Sequence, residues 1–330
     1  MRFGLLVPHF GQSATRSRLL EGALLADRLG FDSLWVRDHA VFEPHGMEGA
    51  DPTFVDPFIT LAYLAGATER IGFGTATLIP FRHPIHLAGS VGSLAWVGER
   101  ALDLGVGAGG FAHEFELLGL GGIDRADLMR EHIRIAQALW GEGLESYSSD
   151  RYDFRPVKIE PRPKVRPMIW FGGSSPRAAR MAAEFCDGWL PGRITFPTFE
   201  LRCRTIAESL AKRGLPMIRT GALPLVSVDS SRERALERVN VPGLLAGANR
   251  FWVKPASGAF TDVDDLAGSV IAGTADDITE GVARYEELGS DLIVLDLRFR
   301  FDDWIEQIQA LAEILPIGRA ATGSAGVRGQ

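Results

Sequence analysis

Met168-Ile169-Trp170-Phe171-Gly172-Gly173-Ser174-Ser175-Pro176 compresses one structural unit into nine residues. Four apolar residues in a row read as a strand buried on both faces. The two glycines let the backbone turn sharply and come close to a ligand. Ser175 is a good N-cap, and Pro176 suits the first helical position. A helix that begins there offers free N–H groups and a positive dipole end above the strand, an arrangement suited to a phosphate. A well-capped turn with no ligand is the plain alternative.

The same strand–turn–helix unit recurs outward in both directions. Short apolar runs at 3–7, 33–36, 71–77, 101–106, 168–171, 188–190, 221–228 and 292–297 read as strands. Between them lie stripes of helical period: Leu19, Leu20, Ala23 and Leu24, then Leu128, His132, Ile135 and Leu139, then Trp304, Ile308, Leu311 and Leu315. Eight alternating units fit a closed barrel or a doubly wound sheet. The first turn lacks the GxGxxG fingerprint of a dinucleotide-binding sheet, and the last helix is placed to seal the first strand. The expectation is an α/β chain folded as a (β/α)8 TIM barrel over residues 1–316, with a loose Gly- and Ala-rich tail at 317–330. Spacing places insertions after strands 2, 4 and 7, at 37–54, 141–166 and 239–268, where barrels build substrate-specific lids.

Composition narrows the function. A net charge of -7 without basic runs argues against nucleic-acid and anionic-membrane surfaces. No apolar run reaches the roughly 18 residues of a membrane span, and the opening residues lack a signal-peptide pattern. A cytoplasmic enzyme acting on a small molecule is expected, with a homodimer left open. Cys186 and Cys203 are too few for a disulfide framework or a CxxC metal site.

Three places carry candidate chemistry. The first is the Gly172-Gly173-Ser174-Ser175 turn. The second is Gly105-Val106-Gly107-Ala108-Gly109-Gly110 after strand 4, with His113 and Glu114 following; glycines in series there suit a flat ligand lying on backbone, or a tight turn alone. The third is Trp35-Val36-Arg37-Asp38-His39, where alternation puts Trp35 and Arg37 on one face and leaves Asp38 and His39 at the strand tip, the usual post of catalytic groups in barrels. An Asp–His pair suits acid–base work near neutral pH. Arg82-His83-Pro84-Ile85-His86 has two histidines three apart but no HExxH, and reads as a helix start; no metal site is expected. No GxSxG elbow is present.

These segments together resemble the bacterial luciferase-like flavin-dependent oxidoreductases, a barrel superfamily using FMN or coenzyme F420. The resemblance runs from Met1 to about Leu315 and includes Leu34–His39, Arg70–Thr77, Arg82-His83-Pro84, Leu104–Gly109, Glu114-Phe115, Trp170–Ser175, Cys186-Asp187-Gly188-Trp189 and Gly273–Ile278. It implies Asp38 and His39 beside the flavin ring, Thr77 under its face, Gly107, Ala108, Gly109 and His113 along ring and side chain, and Gly172, Gly173, Ser174 and Ser175 at the phosphate end. It also implies a non-proline cis peptide at Ala76–Thr77. The Asp-His ending of strand 2 leans to F420, with FMN the alternative. Where some F420-dependent dehydrogenases carry an acidic residue after the glycine turn, this chain has Gly110 and Phe111, which leaves His39 as the candidate acid or base. The implied activity is hydride transfer between F420 and a small, apolar organic substrate. The rivals are an FMN monooxygenase and a cofactor-binding protein without turnover. Phe42, Phe54, Phe111, Phe251 and Trp252 are candidate pocket aromatics.

Overall fold

A computed structural model describes residues 1–44, 48–248 and 253–318. Strands β1 (Arg2–Leu6), β2 (Ser33–Val36), β3 (Gly72–Leu78) and β4 (Leu102–Val106) run parallel. An antiparallel hairpin, β5 (Glu145–Ser148) and β6 (Asp153–Val157), fills the insertion after β4. The barrel resumes with β7 (Met168–Phe171), β8 (Gly188–Trp189) and β9 (Arg219–Ala222). Strand β10 (Leu225–Val228) leaves it to pair with β11 (Val270–Gly273), and β12 (Leu292–Leu295) closes the ring against β1. The TIM barrel is therefore present, with strand order β1-β12-β9-β8-β7-β4-β3-β2.

The apolar run at 221–228, expected as one strand, is broken. Its first half is barrel strand β9 and its second half belongs to an outer two-stranded sheet. Pro224 sits at the break and has no N–H to give a ladder. The chain bends outward there, though Val226 still donates to the Asp296 carbonyl at 2.9 Å. A separate apolar cluster of Leu225, Val239, Leu244, Ala248 and Leu266 covers the outer sheet, so the insertion at 239–268 carries its own small core.

Helix starts follow the expected chemistry. Thr15 caps α1 (Arg16–Leu29), and Asp56 caps α2 (Pro57–Ala65). His83 caps α3 (Pro84–Gly98), its Nδ1 accepting from the Ile85 amide at 3.2 Å, so this histidine opens a helix as expected. After α4 (Ala112–Leu117), Asp124 caps α5 (Arg125–Leu139) and Ser175 caps α6 (Pro176–Phe185). Four further helices, α7 (Phe196–Ala211), α8 (Arg232–Glu237), α9 (Val241–Ala248) and α10 (Ala275–Glu287), precede the sealing helix α11 (Trp304–Ile314). Its stripe Trp304, Ile308, Leu311 and Leu315 is buried as the periodicity required. No helix among the described residues is long and apolar enough to cross a membrane.

The barrel interior is filled from below. Arg2 of β1 reaches Asp103 of β4, three strands away around the ring, with contacts of 2.8 and 3.2 Å that must cross the interior. Trp170 Nε1 donates to the same carboxylate at 2.8 Å. Trp35 is fully buried, and a Cβ on Gly4 or Gly74 would lie 2.4 Å from its ring system. A Cβ on Gly188 would meet Trp170 at 2.4 Å. The glycines of β1, β3 and β8 are thus the space that two indoles occupy. Gly74→Ala is expected to lower stability by about 1–3 kcal/mol through overpacking, with the fold retained; urea denaturation checks it, and an unchanged midpoint would contradict the plug.

Candidate active site

With the floor sealed, the open end of the ring gathers the candidate residues from the exits of the strands. The Ala76–Thr77 bond is cis, and the ladder between β3 and β4 shifts register between Thr75 and Leu78, a bulge at the mouth. The glycine series after β4 answers to this bulge. A Cβ on Gly105 would sit 1.9 Å from the Thr75 carbonyl oxygen, and one on Gly107 would sit 2.5 Å from Thr77 Oγ1. A Cβ on Gly172 would meet Thr77 Cγ2 at 2.6 Å. Thr77 therefore fills the space that Gly107 and Gly172 leave, and those two glycines serve protein packing. Gly109 adopts φ 76° and Gly173 φ 103°, left-handed conformations that favour glycine. Any side chain at Gly173 strains the turn whether or not an anion sits there.

Asp38 lies at the tip of β2, buried. Its Oδ2 accepts from the Ile79 amide at 3.0 Å and from Arg82 Nη1 at 2.7 Å. Burial pushes its carboxyl above the ordinary value, against the pull of Arg82. Oδ1 is buried with no hydrogen-bond partner, an acceptor left over for a donor from outside the chain. Arg82 also holds Asp56, at 2.8 Å, and so ties the cap of α2 to the site.

Next to it, His39 Nδ1 is 3.3 Å from both carboxylate oxygens of Glu114, and its Nε2 is 3.0 Å from Arg37 Nη2. Glu114 also accepts from the amides of Ala40 and Val41, at 2.8 and 3.2 Å. Its own burial raises its pKa, but His39 and these amides outweigh that, and the carboxyl titrates below its usual value. Phe42, Phe54 and Phe111 surround the imidazole with centroids 5.2, 5.2 and 5.5 Å away. These three expected aromatics meet at one place; Phe251 and Trp252 lie outside the described residues.

The remaining candidates spread along the mouth. His113 stands at the rim with Nε2 3.5 Å from Glu43. Ala108 is half-buried against the core between Gly107 and Gly109. Ser175 caps α6 by accepting from the Ala178 amide at 3.0 Å, so its oxygen is engaged, and the Ser174 carbonyl accepts from Arg202 at 2.8 Å. Sequence reasoning left several groups of the mouth unassigned. Arg37 joins Glu48 at 2.5 Å, Arg298 joins Glu48 at 2.9 Å, and Arg298 joins Asp296 beyond β12 at 2.8 Å. Alternation in β2 had placed Arg37 on the same face as Trp35; Glu48 and Arg298 had no local signal, because only closure of the ring brings them together.

His9 beyond β1 is fully buried and donates from Nδ1 to the Val55 carbonyl at 2.9 Å, while Nε2 accepts from the Arg37 amide at 2.9 Å. Burial pushes its pKa down to about 3. His132 on α5, bonded to Tyr152 at 2.6 Å, is pushed down by burial to about 4. Both therefore fold neutral. Above the unfolded value near pH 6.5 they cost nothing; as pH falls from there the unfolded chain binds their protons first, so stability drops until the folded values are reached. His132→Gln should flatten the drop between about pH 6.5 and 4 by on the order of 3 kcal/mol. Parallel pH–stability curves for the variant and the parent protein would contradict a buried neutral His132.

Among the described residues no group of three His, Cys, Asp or Glu side chains is placed to hold a metal ion. Comparison with known proteins agrees with this architecture. The model of the luciferase-like monooxygenase family matches residues 1–292. The chain is 33% identical over 243 residues to an F420-dependent glucose-6-phosphate dehydrogenase of Beutenbergia cavernae, covering 69% of each chain. It is 28% identical over 195 residues to the oxygenase component of a flavin-dependent trigonelline monooxygenase of Acinetobacter baylyi, covering 56% of this chain and 52% of that one. The solved coenzyme F420-dependent tetrahydromethanopterin reductase of Methanopyrus kandleri superimposes with a TM-score of 0.77 at 18% identity, over 95% of this chain and 98% of that one, a likeness of fold. The bulged third strand, the Asp-His tip of the second and the family match converge: this chain belongs to the luciferase-like monooxygenase family, and it is an oxidoreductase of that family.

Proposed function

We propose that the chain is an F420-dependent oxidoreductase that moves a hydride between the deazaflavin and a small organic substrate with an apolar body. The observation that carries this reading is Asp38, whose buried Oδ1 has no partner and stands beside the His39–Glu114 pair at the mouth. A leftover carboxylate oxygen fits a ligand that brings its own N–H or O–H donor. F420-dependent dehydrogenases among the relatives, and the Asp-His ending of β2, support F420 over FMN.

Asp38 and His39 would hold the ring edge, and Ala76 with Thr77 would back its face. Gly107, Ala108, Gly109 and His113 would run along ring and side chain. Gly172, Gly173, Ser174 and Ser175 at the start of α6 would hold the phosphate end, where the helix dipole favours an anion. When bound, the deazaflavin supplies two-electron hydride chemistry. The chain's own residues supply the rest. Phe42, Phe54 and Phe111 exclude water around His39 and give an apolar substrate its surface. Glu114 fixes the imidazole and the start of the 37–54 insertion through the Ala40 and Val41 amides.

Titration of tryptophan fluorescence with each cofactor tests the assignment. F420 is expected to bind at least about tenfold more tightly than FMN, a difference of about 1.4 kcal/mol; FMN binding without F420 binding would sink it. In Asp38→Asn the side chain keeps one carbonyl oxygen for three claims on it. F420 affinity should fall by about tenfold or more, the worth of a hydrogen bond to a charged group. Unchanged affinity would remove Asp38 from the site.

A further inference from the structure

Both ring nitrogens of His39 are taken. A guanidinium has only N–H donors, so the 3.0 Å contact with Arg37 Nη2 makes Nε2 the acceptor. The proton then sits on Nδ1, facing Glu114 at 3.3 Å. Arg37 is itself held on every side. Nη1 donates to Glu48 at 2.5 Å, its main-chain amide donates to neutral His9 at 2.9 Å, and its guanidinium lies 4.6 Å from the Phe10 ring centroid and 5.6 Å from that of Phe42. Glu48 takes Arg298, and Arg298 takes Asp296. One hydrogen-bonded row, Asp296–Arg298–Glu48–Arg37–His39–Glu114, thus crosses the mouth from the exit of β12 to α4.

We propose that Arg37 is a positioning residue that keeps a proton off Nε2 of His39, so that this imidazole stands at the mouth as a neutral ring whose basic nitrogen is released only when Arg37 turns wholly to Glu48. Protonating Nε2 in place removes its lone pair and sets an imidazolium against a guanidinium. Glu114 pulls the other way, toward the cation. Among the described residues, the uncharged rings of Phe42, Phe54 and Phe111 pack against the imidazole, with neutral His9 behind Arg37 and Asp38 turned to Arg82. Among the described residues Glu114 and Arg37 are the charged groups bonded to the ring, and geometry gives Nε2 to Arg37. The catalytic meaning rests on the oxidoreductase site proposed above, but the protonation state is measurable without any cofactor.

The test is nitrogen-15 NMR of the full chain with labelled histidine. His39→Gln identifies the His39 signals among the seven histidines. In the parent protein, between about pH 6 and 8, Nδ1 is expected to be protonated and Nε2 not. In Arg37→Met, Glu114 alone faces the ring, and both nitrogens should carry protons over the lower part of that range; Arg37→Lys, which keeps a donor cation, should restore the parent pattern. A protonated Nε2 in the parent protein overturns the proposal even if Arg37→Met does not fold, and so does an Arg37→Met spectrum identical to the parent. With F420 bound and turnover measured, Arg37→Met should shift the pH profile of kcat while leaving F420 affinity within about twofold. Loss of F420 binding in the parent protein would fail the cofactor assignment and leave the NMR result standing.

Discussion

Two indoles and one carboxylate decide what this barrel can do. Asp103 accepts from Arg2 Nη1 and Nη2 and from Trp170 Nε1, at 2.8, 3.2 and 2.8 Å, so the buried carboxylate is well bonded while the Arg2 side chain stays partly open to solvent. Trp35 donates to Ser33 at 2.7 Å and takes the space bared by Gly4 and Gly74. With the floor a packed core, ligands are confined to the ring of strand exits. Asp38, His39, Thr77 and Arg298 stand at those exits because β2, β3 and β12 end there.

How much of this was legible depended on how local the cause was. Strand runs and caps are local, and Ser175 and the His83 helix start both stand where the sequence put them. The outward turn of β10 was missed because an apolar run outweighed the single Pro224 within it. The glycines after β4 were visible, but their reason was not. They make room for the bulged β3 of the same barrel, a fact of neighbouring strands rather than of neighbouring residues. Arg82 opens a segment whose two histidines draw the eye to metal, while its own partner Asp38 lies 44 positions away. The charge row through Glu48 and Arg298 spans 250 positions and exists only once the ring closes.

The mouth joins two kinds of environment. Around His39 the rings of Phe42, Phe54 and Phe111 make an apolar collar, and beneath it runs an alternating line of carboxylates and guanidiniums. Alternation matters because like charges meet there as well: burial and Arg298 together push Arg37 down to about 10, and Glu48 and Asp296 offset them. Such a line is stiff. Removing one member leaves the opposite charges beside it buried and unpaired, which is costly. The collar fixes what can approach, and the line fixes which way the imidazole faces.

The strand that leaves the barrel separates two kinds of evolutionary freedom. Inside the ring, several glycines are dictated by a neighbour: an indole demands Gly4, Gly74 or Gly188, and the bulge demands Gly105 and Gly107. The outer pair β10–β11 sends Val226, Val228 and Ile271 into the main core and meets a second cluster of Leu225, Val239, Leu244, Ala248 and Leu266 on its other side. Segments with their own small core open and close with their own free energy. Residues of the second cluster, Val239, Leu244, Ala248 and Leu266, answer to one another, so the 239–268 insertion can be rewritten while β10 keeps its bonds to the β12 exit. A lineage built on this scaffold can change its clientele at the rim while its foundations stay unaltered.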